Sequence, residues 1–374
     1  MRVKFRVERD RLADAVAWAA RALPTRPSIP TLSGLLLSSD HESLMLSGFN
    51  NENAASVQVD ANIDEPGRVL VSGRLLADIS RSLPAQPVVM ATEGSRLEVR
   101  CGRSSFMLPT LPVEEYPVLP TMPDPAGVVD GSSFAAAVAQ VAVAAGHDDT
   151  LPMLLGIRIE FDGPRVTMAA TDRYRLAVRE LTWRPERPEF EGSALVPAKV
   201  LADTAKLLAA SQDVFVAYAP NTSAEGLMGF EGGGRRTTTR LIDGDFPKYR
   251  QLLPESGSTL ATVATAALLE AVKRVSLVAE RNTPVRLLFS GDEVSLQAGS
   301  GDEAQATEAL EAQVVGEPIA IAFNPSYLTD GLMAIGDPQV RISFTESNKP
   351  AVLTPGSDSA ASFKYLLMPV RLSS

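Results

Sequence analysis

The chain has 374 residues with 35 Lys and Arg against 45 Asp and Glu, a formal net charge of −10 at pH 7. Hydrophobic residues at 45% and charged residues at 21% exclude a disordered or fibrous chain, and at roughly 100–200 residues per domain the length asks for more than one. One cysteine, Cys101, excludes a disulfide framework and a multi-cysteine zinc site, and two histidines, His41 and His147, leave little room for metal or triad chemistry.

In chain order, Met1-Arg-Val-Lys-Phe-Arg-Val-Glu8 alternates charged and apolar residues and holds no signal-peptide core. Leu12, Val16, Ala19 and Leu23 then form one face of an amphipathic helix. Val57-Gln-Val-Asp and Leu97-Glu-Val-Arg carry the period-two pattern of strands. Between them, Ser72-Gly73 opens a second helix through Leu75-Leu-Ala-Asp78. A Pro-rich exit, Leu119 to Pro125, closes this stretch.

The same order then recurs twice. Phe134, Val138, Val141, Ala145 and Leu268, Val272, Val275, Ala279 repeat the first helix at offsets of 122 and 134 residues. Val200-Leu-Ala-Asp203 after Pro197, and Tyr327-Leu-Thr-Asp330 after Asn324-Pro325, repeat the second at offsets of 125 and 127. Pro30-Thr-Leu-Ser-Gly34 matches Pro152-Met-Leu-Leu-Gly156, and Glu115-Tyr-Pro117 matches Asp245-Phe-Pro247. Further strands are read at Val214-Phe-Val-Ala-Tyr and Val340-Arg-Ile-Ser-Phe, with Gly232-Gly-Gly234 as a hairpin tip. The reading is an α+β chain of three tandem copies of one two-helix, strand-rich domain, with boundaries at 1–122, 126–251 and 255–374. The most uniformly small and apolar stretch, Phe134 to Ala145, is too short to cross a bilayer, so a soluble cytoplasmic protein with no membrane partner is expected.

Catalytic patterns are weak. No phosphate loop or nucleophile elbow occurs. His147-Asp148-Asp149 reads as a solvated turn, and the acids Glu114-Glu115 and Asp243/Asp245 occupy equivalent places in two copies. No catalytic residue, metal site or cofactor is expected. The basic residues are better placed: Arg74 and Arg81 are seven apart on one helix, and Lys199 and Lys206 repeat them at an offset of 125, so each pair shares a helix face. Copy three has Ser326 and Met333 there and supplies Lys273, Arg274 and Arg281 from its first helix instead. A surface of this kind meets phosphates without reading bases.

Three motifs then carry a resemblance. Ala169-Ala-Thr-Asp-Arg-Tyr-Arg-Leu-Ala-Val178, Asp243-Gly-Asp-Phe-Pro-Lys-Tyr249 and Tyr365-Leu-Leu-Met-Pro-Val-Arg-Leu372 resemble signature segments of the bacterial replicative sliding clamp, the beta subunit of DNA polymerase III. The likeness spans essentially the whole chain, and the Pro- and Ala-rich style resembles actinobacterial members. It implies a DNA-clamp domain in three copies and two chains head to tail, six domains in a closed ring homodimer around double-stranded DNA without sequence preference. Twelve helices would line the hole.

The resemblance places DNA contacts at Arg26, Arg74 and the loop His147, Asp148, Pro152 and Met153; spacing adds Arg81, Lys199, Lys206 and Arg274. The loop departs from the family in having Asp148, Pro152 and Met153 where polar and aromatic residues are usual. The resemblance also implies a pocket for linear peptide motifs at Leu154, Thr171, Tyr174, Arg175, Leu176, Pro247, Leu252, Leu366, Met368, Pro369 and Arg371. Its implied users are the polymerase catalytic subunit, the clamp loader, translesion polymerases, mismatch-repair proteins and ligase. The dimer is expected to join Arg96, Arg100 and Arg103 of one chain to Asp302, Glu303, Glu308 and Glu311 of the other, beside Phe106 and Val278. Asn50 departs from the acid the family usually has after this Phe. Two rival readings are a repeat-built protein scaffold that never meets DNA and a metal-dependent hydrolase built on Asp148 and Asp149.

Overall fold

The computed structural model describes residues 2–220, 225–254, 257–279, 283–299, 304–357 and 362–371. Copy one runs β1 (Lys4–Val7), α1 (Arg9–Ala19), β2 (Gly34–Ser39), β3 (Leu44–Phe49), β4 (Asn53–Val59), β5 (Asn62–Glu65), β6 (Gly67–Ser72), α2 (Gly73–Ser82), β7 (Val88–Glu93), β8 (Arg96–Cys101) and β9 (Ser104–Leu111). Copy two runs β10 (Pro125–Asp130), α3 (Gly131–Ala142), β11 (Gly156–Asp162), β12 (Arg165–Thr171), β13 (Arg175–Thr182), the two-residue β14 (Arg184–Pro185), β15 (Glu191–Pro197), α4 (Ala198–Leu208), β16 (Asp213–Ala219), β17 (Leu227–Gly232) and β18 (Arg235–Arg240). Copy three runs β19 (Thr259–Ala264), α5 (Thr265–Val275), β20 (Val285–Ser290), β21 (Glu293–Ala298), β22 (Ala306–Val315), β23 (Ile319–Phe323), α6 (Pro325–Ile335), β24 (Gln339–Phe344), β25 (Ala351–Pro355) and β26 (Phe363–Leu367).

Every copy is therefore a doubled strand–helix–three-strand motif making two four-stranded antiparallel sheets. In copy one the orders are β1-β7-β8-β9 and β6-β2-β3-β4; in copy two β10-β16-β17-β18 and β15-β11-β12-β13; in copy three β19-β24-β25-β26 and β23-β20-β21-β22. The helices form where the apolar spacing requires. Leu12, Ala15, Val16 and Ala19 are buried on α1, and Leu268, Ala271, Val272 and Val275 on α5. Burying a Leu or Val side chain contributes about 1.5–3 kcal/mol. The small Ala positions let helix approach sheet and helix approach helix closely. The second helices of copies one and three start at side-chain caps: Ser72 accepts from the Leu75 amide, and Asn324 accepts from Ser326 and Tyr327 with Pro325 in the first turn. The α6 helix stops at Gly336, whose φ of 66° is left-handed. All three first helices stop short of the last apolar position of their faces: α3 ends at Ala142, before Gly146, while α1 and α5 end at Ala19 and Val275 and run on as single 3-10 turns.

The repeated Pro30 and Pro152 segments are short 3-10 turns ahead of Gly34 and Gly156. A methyl group on Gly34 would lie 2.6 Å from Leu70, and one on Gly156 2.7 Å from Leu195, so the repeated glycine is a packing requirement. The Gly233-Gly234 tip has φ of 59° and 73°, both positive, as a tight hairpin demands.

The chain divides into two compact units, Met1–Ser132 with Leu207–Leu241, and Ser133–Lys206 with Ile242–Ser374. Each contains one seam between copies, and both seams obey one rule: the last strand of one copy adds to the fourth strand of the copy before it. In the first unit β18 pairs with β4, Arg235 opposite Val57 through Thr239 opposite Asn53. In the second β26 pairs with β13, Leu367 opposite Arg175 through Phe363 opposite Arg179. Among the last and fourth strands of the three copies, two keep an open edge within the described residues. β9 pairs with β8 along Ser104–Pro109 but meets β6 only at Thr110 and Leu111. β22 pairs with β21 along Ala306–Glu311 and reaches β19 only from Ala312. This corrects the expected interface strand: Arg96 and Arg100 lie on β8, an interior strand hydrogen-bonded to both β7 and β9, and Arg103 lies in the turn beyond it.

Candidate peptide pocket and nucleic-acid face

In the second unit the turn between β12 and β13 builds a charged brace. The Asp172 carboxylate accepts from the backbone amides of Tyr174 and Arg175 at 3.0 and 3.1 Å, while Arg173 takes a left-handed φ of 81°. The Arg175 side chain is only 5% exposed. Its Nε donates to Asp172 at 3.0 Å, and Nη1 donates to Asp330 at 2.6 Å and to the Tyr365 hydroxyl at 3.4 Å. The Tyr327 ring covers the guanidinium with its centroid 4.4 Å from the central carbon. Burial works against the Arg175 charge, but Tyr365, Asp330 and Asp172 outweigh it and hold its pKa above the ordinary guanidinium value.

Over this brace lies a cavity of about 360 Å³ lined by His147, Asp148, Leu151, Leu154, Tyr174 and Tyr327, among others. Tyr174 is 54% exposed and stacks on Tyr327 with centroids 6.1 Å apart. The chemistry is that of an aromatic-walled cleft with one charged, pre-oriented group at its base.

Other residues read as pocket lining sit deeper. Thr171, Leu176 and Leu366 are buried, the last two in a small core with Phe246, Tyr249, Val352 and Leu253. The Thr171 hydroxyl is spent on the Arg175 carbonyl at 2.6 Å. They are floor, not contact surface, because strand alternation turns them under the segment that follows β18. That segment is tied down by Glu160, which accepts from the Tyr249 hydroxyl at 2.9 Å and pairs with Arg250 at 2.5 Å. Pro247 lines a second cavity of about 330 Å³ beneath it, while Leu252, Met368 and Arg371 are exposed and Pro369 half-buried.

Sequence reading missed Tyr327, Asp172, Asp330 and Tyr365. A signal existed for Asp330, which repeats Asp78 and Asp203 at the same place of the second helix; nothing local tied any of these acids to Arg175.

The expected DNA contacts separate into groups. Arg26, Arg74, Arg81, Lys199 and Lys206 are all exposed. Arg81 pairs with Asp78 at 2.5 Å, and Lys199 lies 3.5 Å from Asp203. Arg74 and Arg81 border a cleft of about 450 Å³ with Leu23, Pro24 and Thr25 at the end of α1. Arg26, Arg74 and Lys206 have no ion-pair partner among the described residues. Of the loop residues, His147 and Asp148 line the aromatic cavity, Asp148 accepts from the Thr150 amide and hydroxyl, and Pro152 and Met153 form the turn before Gly156. These Thr150 bonds hold the Asp148 carboxyl below its ordinary pKa. Arg274 is bound in two places to Glu308, at 3.0 and 2.5 Å. Arg100 is likewise bound to Glu98 of its own chain at 2.7 Å. Asp302, Glu303 and Arg281 lie outside the described residues. Among the described residues no group of three His, Cys, Asp or Glu side chains is placed to hold a metal, and no helix is long and apolar enough to cross a membrane.

A thrice-repeated, two-sheet domain joined by strand addition and carrying an aromatic-walled cleft is the architecture of the DNA-clamp proteins. Models of the DNA polymerase III beta subunit match throughout: its N-terminal domain at residues 3–120, central domain at 128–248 and C-terminal domain at 250–371. The chain belongs to the DNA polymerase III beta subunit family, the non-catalytic sliding clamps of replication. It is 58% identical to a beta sliding clamp of Streptomyces coelicolor over 99% of this chain and 100% of that one. It is 45% identical to the beta sliding clamp homolog GriR of Streptomyces muensis, with 99% of each chain covered. A crystal structure of the DNA polymerase III subunit beta from Pseudomonas aeruginosa superposes with a TM-score of 0.90 at 28% identity, covering 99% of this chain and 100% of that one. Neither the scaffold nor the hydrolase reading is favoured by these relatives.

Proposed function

We propose that two copies of this chain close head to tail into a six-domain ring that encircles duplex DNA and tethers the replicative polymerase. The single observation that carries the ring is the seam rule. It is used twice within the chain and leaves one last-strand edge, β9, and one fourth-strand edge, β22, unpaired. Unpaired edges are templates for a further strand. Ser104 follows its hairpin turn as Arg235 does, and Glu308 holds the place of Val57 and Arg179, so the register of the first seam sets Ser104 opposite Glu308 of the second copy and Phe106 opposite its Ala306. Arg103 then borders the acidic strand, which keeps it in the interface; Arg96 and Arg100 flank it from β8. Val278 belongs there too: its equivalents Ala22 and Ala144 are buried, whereas Val278 is half-exposed and Leu277 beside it 84% exposed.

Arg26, Arg74, Arg81, Lys199 and Lys206 would supply sequence-independent phosphate contacts. Encirclement makes tight binding unnecessary, since a closed ring stays at high effective concentration on its cargo. The cleft at Tyr174, Arg175 and Tyr327, extended by Leu154, Pro247, Leu252, Met368, Pro369 and Arg371, would take linear peptide motifs. Its users would be the polymerase catalytic subunit, the clamp loader, translesion polymerases, mismatch-repair proteins and ligase. The domains divide at 1–122, 126–251 and 255–374, and the setting is the cytoplasm.

The test is loading onto nicked circular DNA with a clamp loader and ATP, followed by linearisation. The chain should remain on circles and run off linear DNA; retention indifferent to linearisation would remove the tethering claim.

A further inference from the structure

One helix position recurs at every seam. Trp18, Gln140 and Arg274 each stand six residues after the first apolar residue of their helix face, Leu12, Phe134 and Leu268. Trp18 donates Nε1 to the Ser56 carbonyl at 3.0 Å and lies against Arg235 of the next copy, whose guanidinium carbon is 5.5 Å from the ring centroid. Gln140 donates Nε2 to the Ala334 carbonyl at 2.9 Å, in the last turn of the next copy's α6. At two seams, then, this side chain bridges to the adjoining copy. Arg274 is the third, and the copy it should bridge to is not in its own chain.

We propose that Arg274 is a ring-closing residue whose acceptor is supplied by a second copy of this chain, at the last turn of that copy's α2 around Ser82. The proposal rests on the ring reading above. Ser82 stands seven residues after Leu75 as Ala334 stands seven after Tyr327, so it holds the place of the residue that Gln140 grasps. In that turn the Leu83 and Arg81 carbonyls already accept from Arg9 of their own copy at 3.1 and 3.3 Å, which leaves the Ser82 carbonyl, at the negative end of the helix dipole, for a donor from outside. Glu308 occupies two of the five guanidinium donors, through Nε and one of the terminal nitrogens, and leaves the others to point elsewhere. That ion pair acts as a splint, holding the long side chain in one direction before the second copy arrives, so that less rotamer freedom is lost on closure. It also explains why copy three lacks the repeated basic pair on its second helix while placing a cation on its first: this cation serves the seam and not the bore.

The proposal is tested by measuring dimer dissociation on dilution at physiological salt. Arg274→Ala should raise the dissociation constant by roughly 10-fold or more, and Arg274→Gln, which imitates copy two, should recover most of the loss. A chain carrying Arg274→Cys and Ser82→Cys should be joined into a covalent dimer by a short bismaleimide, and neither single variant should be; Cys101 is buried and silent. If Arg274→Ala leaves the dimer constant unchanged and instead shortens residence on DNA, the cation belongs to the nucleic-acid face and the proposal fails. A parent chain that stays monomeric at micromolar concentration would instead overturn the ring itself.

Discussion

Asn53 and Arg175 occupy the same place in copies one and two, the first residue of the fourth strand, and both reach across a seam. Asn53 accepts a single hydrogen bond from the Thr239 hydroxyl at 2.6 Å. Arg175 engages Asp172, Asp330 and Tyr365 and lies under an aromatic ring. Both seams have five paired residues of strand, so the backbone is their common adhesive. What differs is the cost of change. A neutral bond at a seam adds little and can be lost. A buried charge commits its surroundings, because every neighbour is then chosen to keep it solvated. The charged seam is also the one whose side chains rise into a cavity, so the brace and the cleft are one construction.

This contrast is broken most severely at Arg175. Arg175→Ala leaves Asp172 and Asp330 without their cation, and the expected loss is about 3 kcal/mol, the lower end for breaking a buried pair because Asp330 is partly exposed. Asn53→Ala, at the equivalent position, should cost about 1 kcal/mol. Urea unfolding of both variants, with peptide affinity measured alongside, checks the difference. Equal losses would mean that the strand ladder alone holds both seams.

The repeat and its helices were legible because buried faces impose a period that survives divergence: Phe134 stands where the other two copies have Leu12 and Leu268, and the spacing to the next apolar positions is the same. The open edges were not. Arg96, Arg100 and Arg103 look like an edge because their charges alternate, yet whether a strand is interior depends on which strands flank it, and that is a property of topology. The same limit hid the brace, whose members Asp172, Arg175, Asp330 and Tyr365 are scattered over three elements. Nor does composition say which lysines and arginines are free; Asp78 and Glu308 claim Arg81 and Arg274 through geometry alone. The family resemblance groups Leu176 and Leu366 with Tyr174 and Arg175, and burial, which separates the first two from the exposed Tyr174, is not readable from a motif.

A second comparison is milder. The segments leaving copies one and two both fold back over a sheet, with Tyr116 buried in one and Tyr249 in the other. The Tyr116 hydroxyl has no hydrogen-bond partner among the described residues, and its pKa is pushed up to about 12 by burial. Tyr249 is clasped by Glu160, together with Arg250. Burial alone would raise the Glu160 pKa, but Arg250, Tyr249 and Arg158 overcome it and hold the carboxyl below its ordinary 4.5. A lowered carboxyl stabilises the fold above its unfolded pKa and loses that contribution as pH falls through the folded value. The second segment should therefore loosen below about pH 4.5 while the first does not, read as faster amide exchange at 246–252 than at 113–118. Glu160→Gln should reproduce the loosening at neutral pH, at about 1 kcal/mol, and an unchanged exchange pattern would reduce the clasp to decoration.

The smallest effect is expected where the two copies use different residues for one task. In copy two Asp172 caps the turn by accepting from the amides two and three residues on. In copy one Asn50 accepts from Glu52 and Asn53 at 3.0 and 2.7 Å, and Asn51 takes a φ of 77° as Arg173 takes 81°. The cap needs an acceptor oxygen at that distance from the backbone, which the amide and the carboxylate both provide. The negative charge of Asp172 has a second use, the Arg175 Nε, and copy one has Asn53 there, with no cation to receive it. Asn50→Asp should accordingly leave the melting temperature of the first unit nearly unchanged, within about 0.5 kcal/mol. Asp172→Asn, by contrast, keeps the cap and removes one support of the guanidinium. If Asn50→Asp proves as costly as Asp172→Asn, the two turns are not equivalent, and the charge at this position does more than serve the brace.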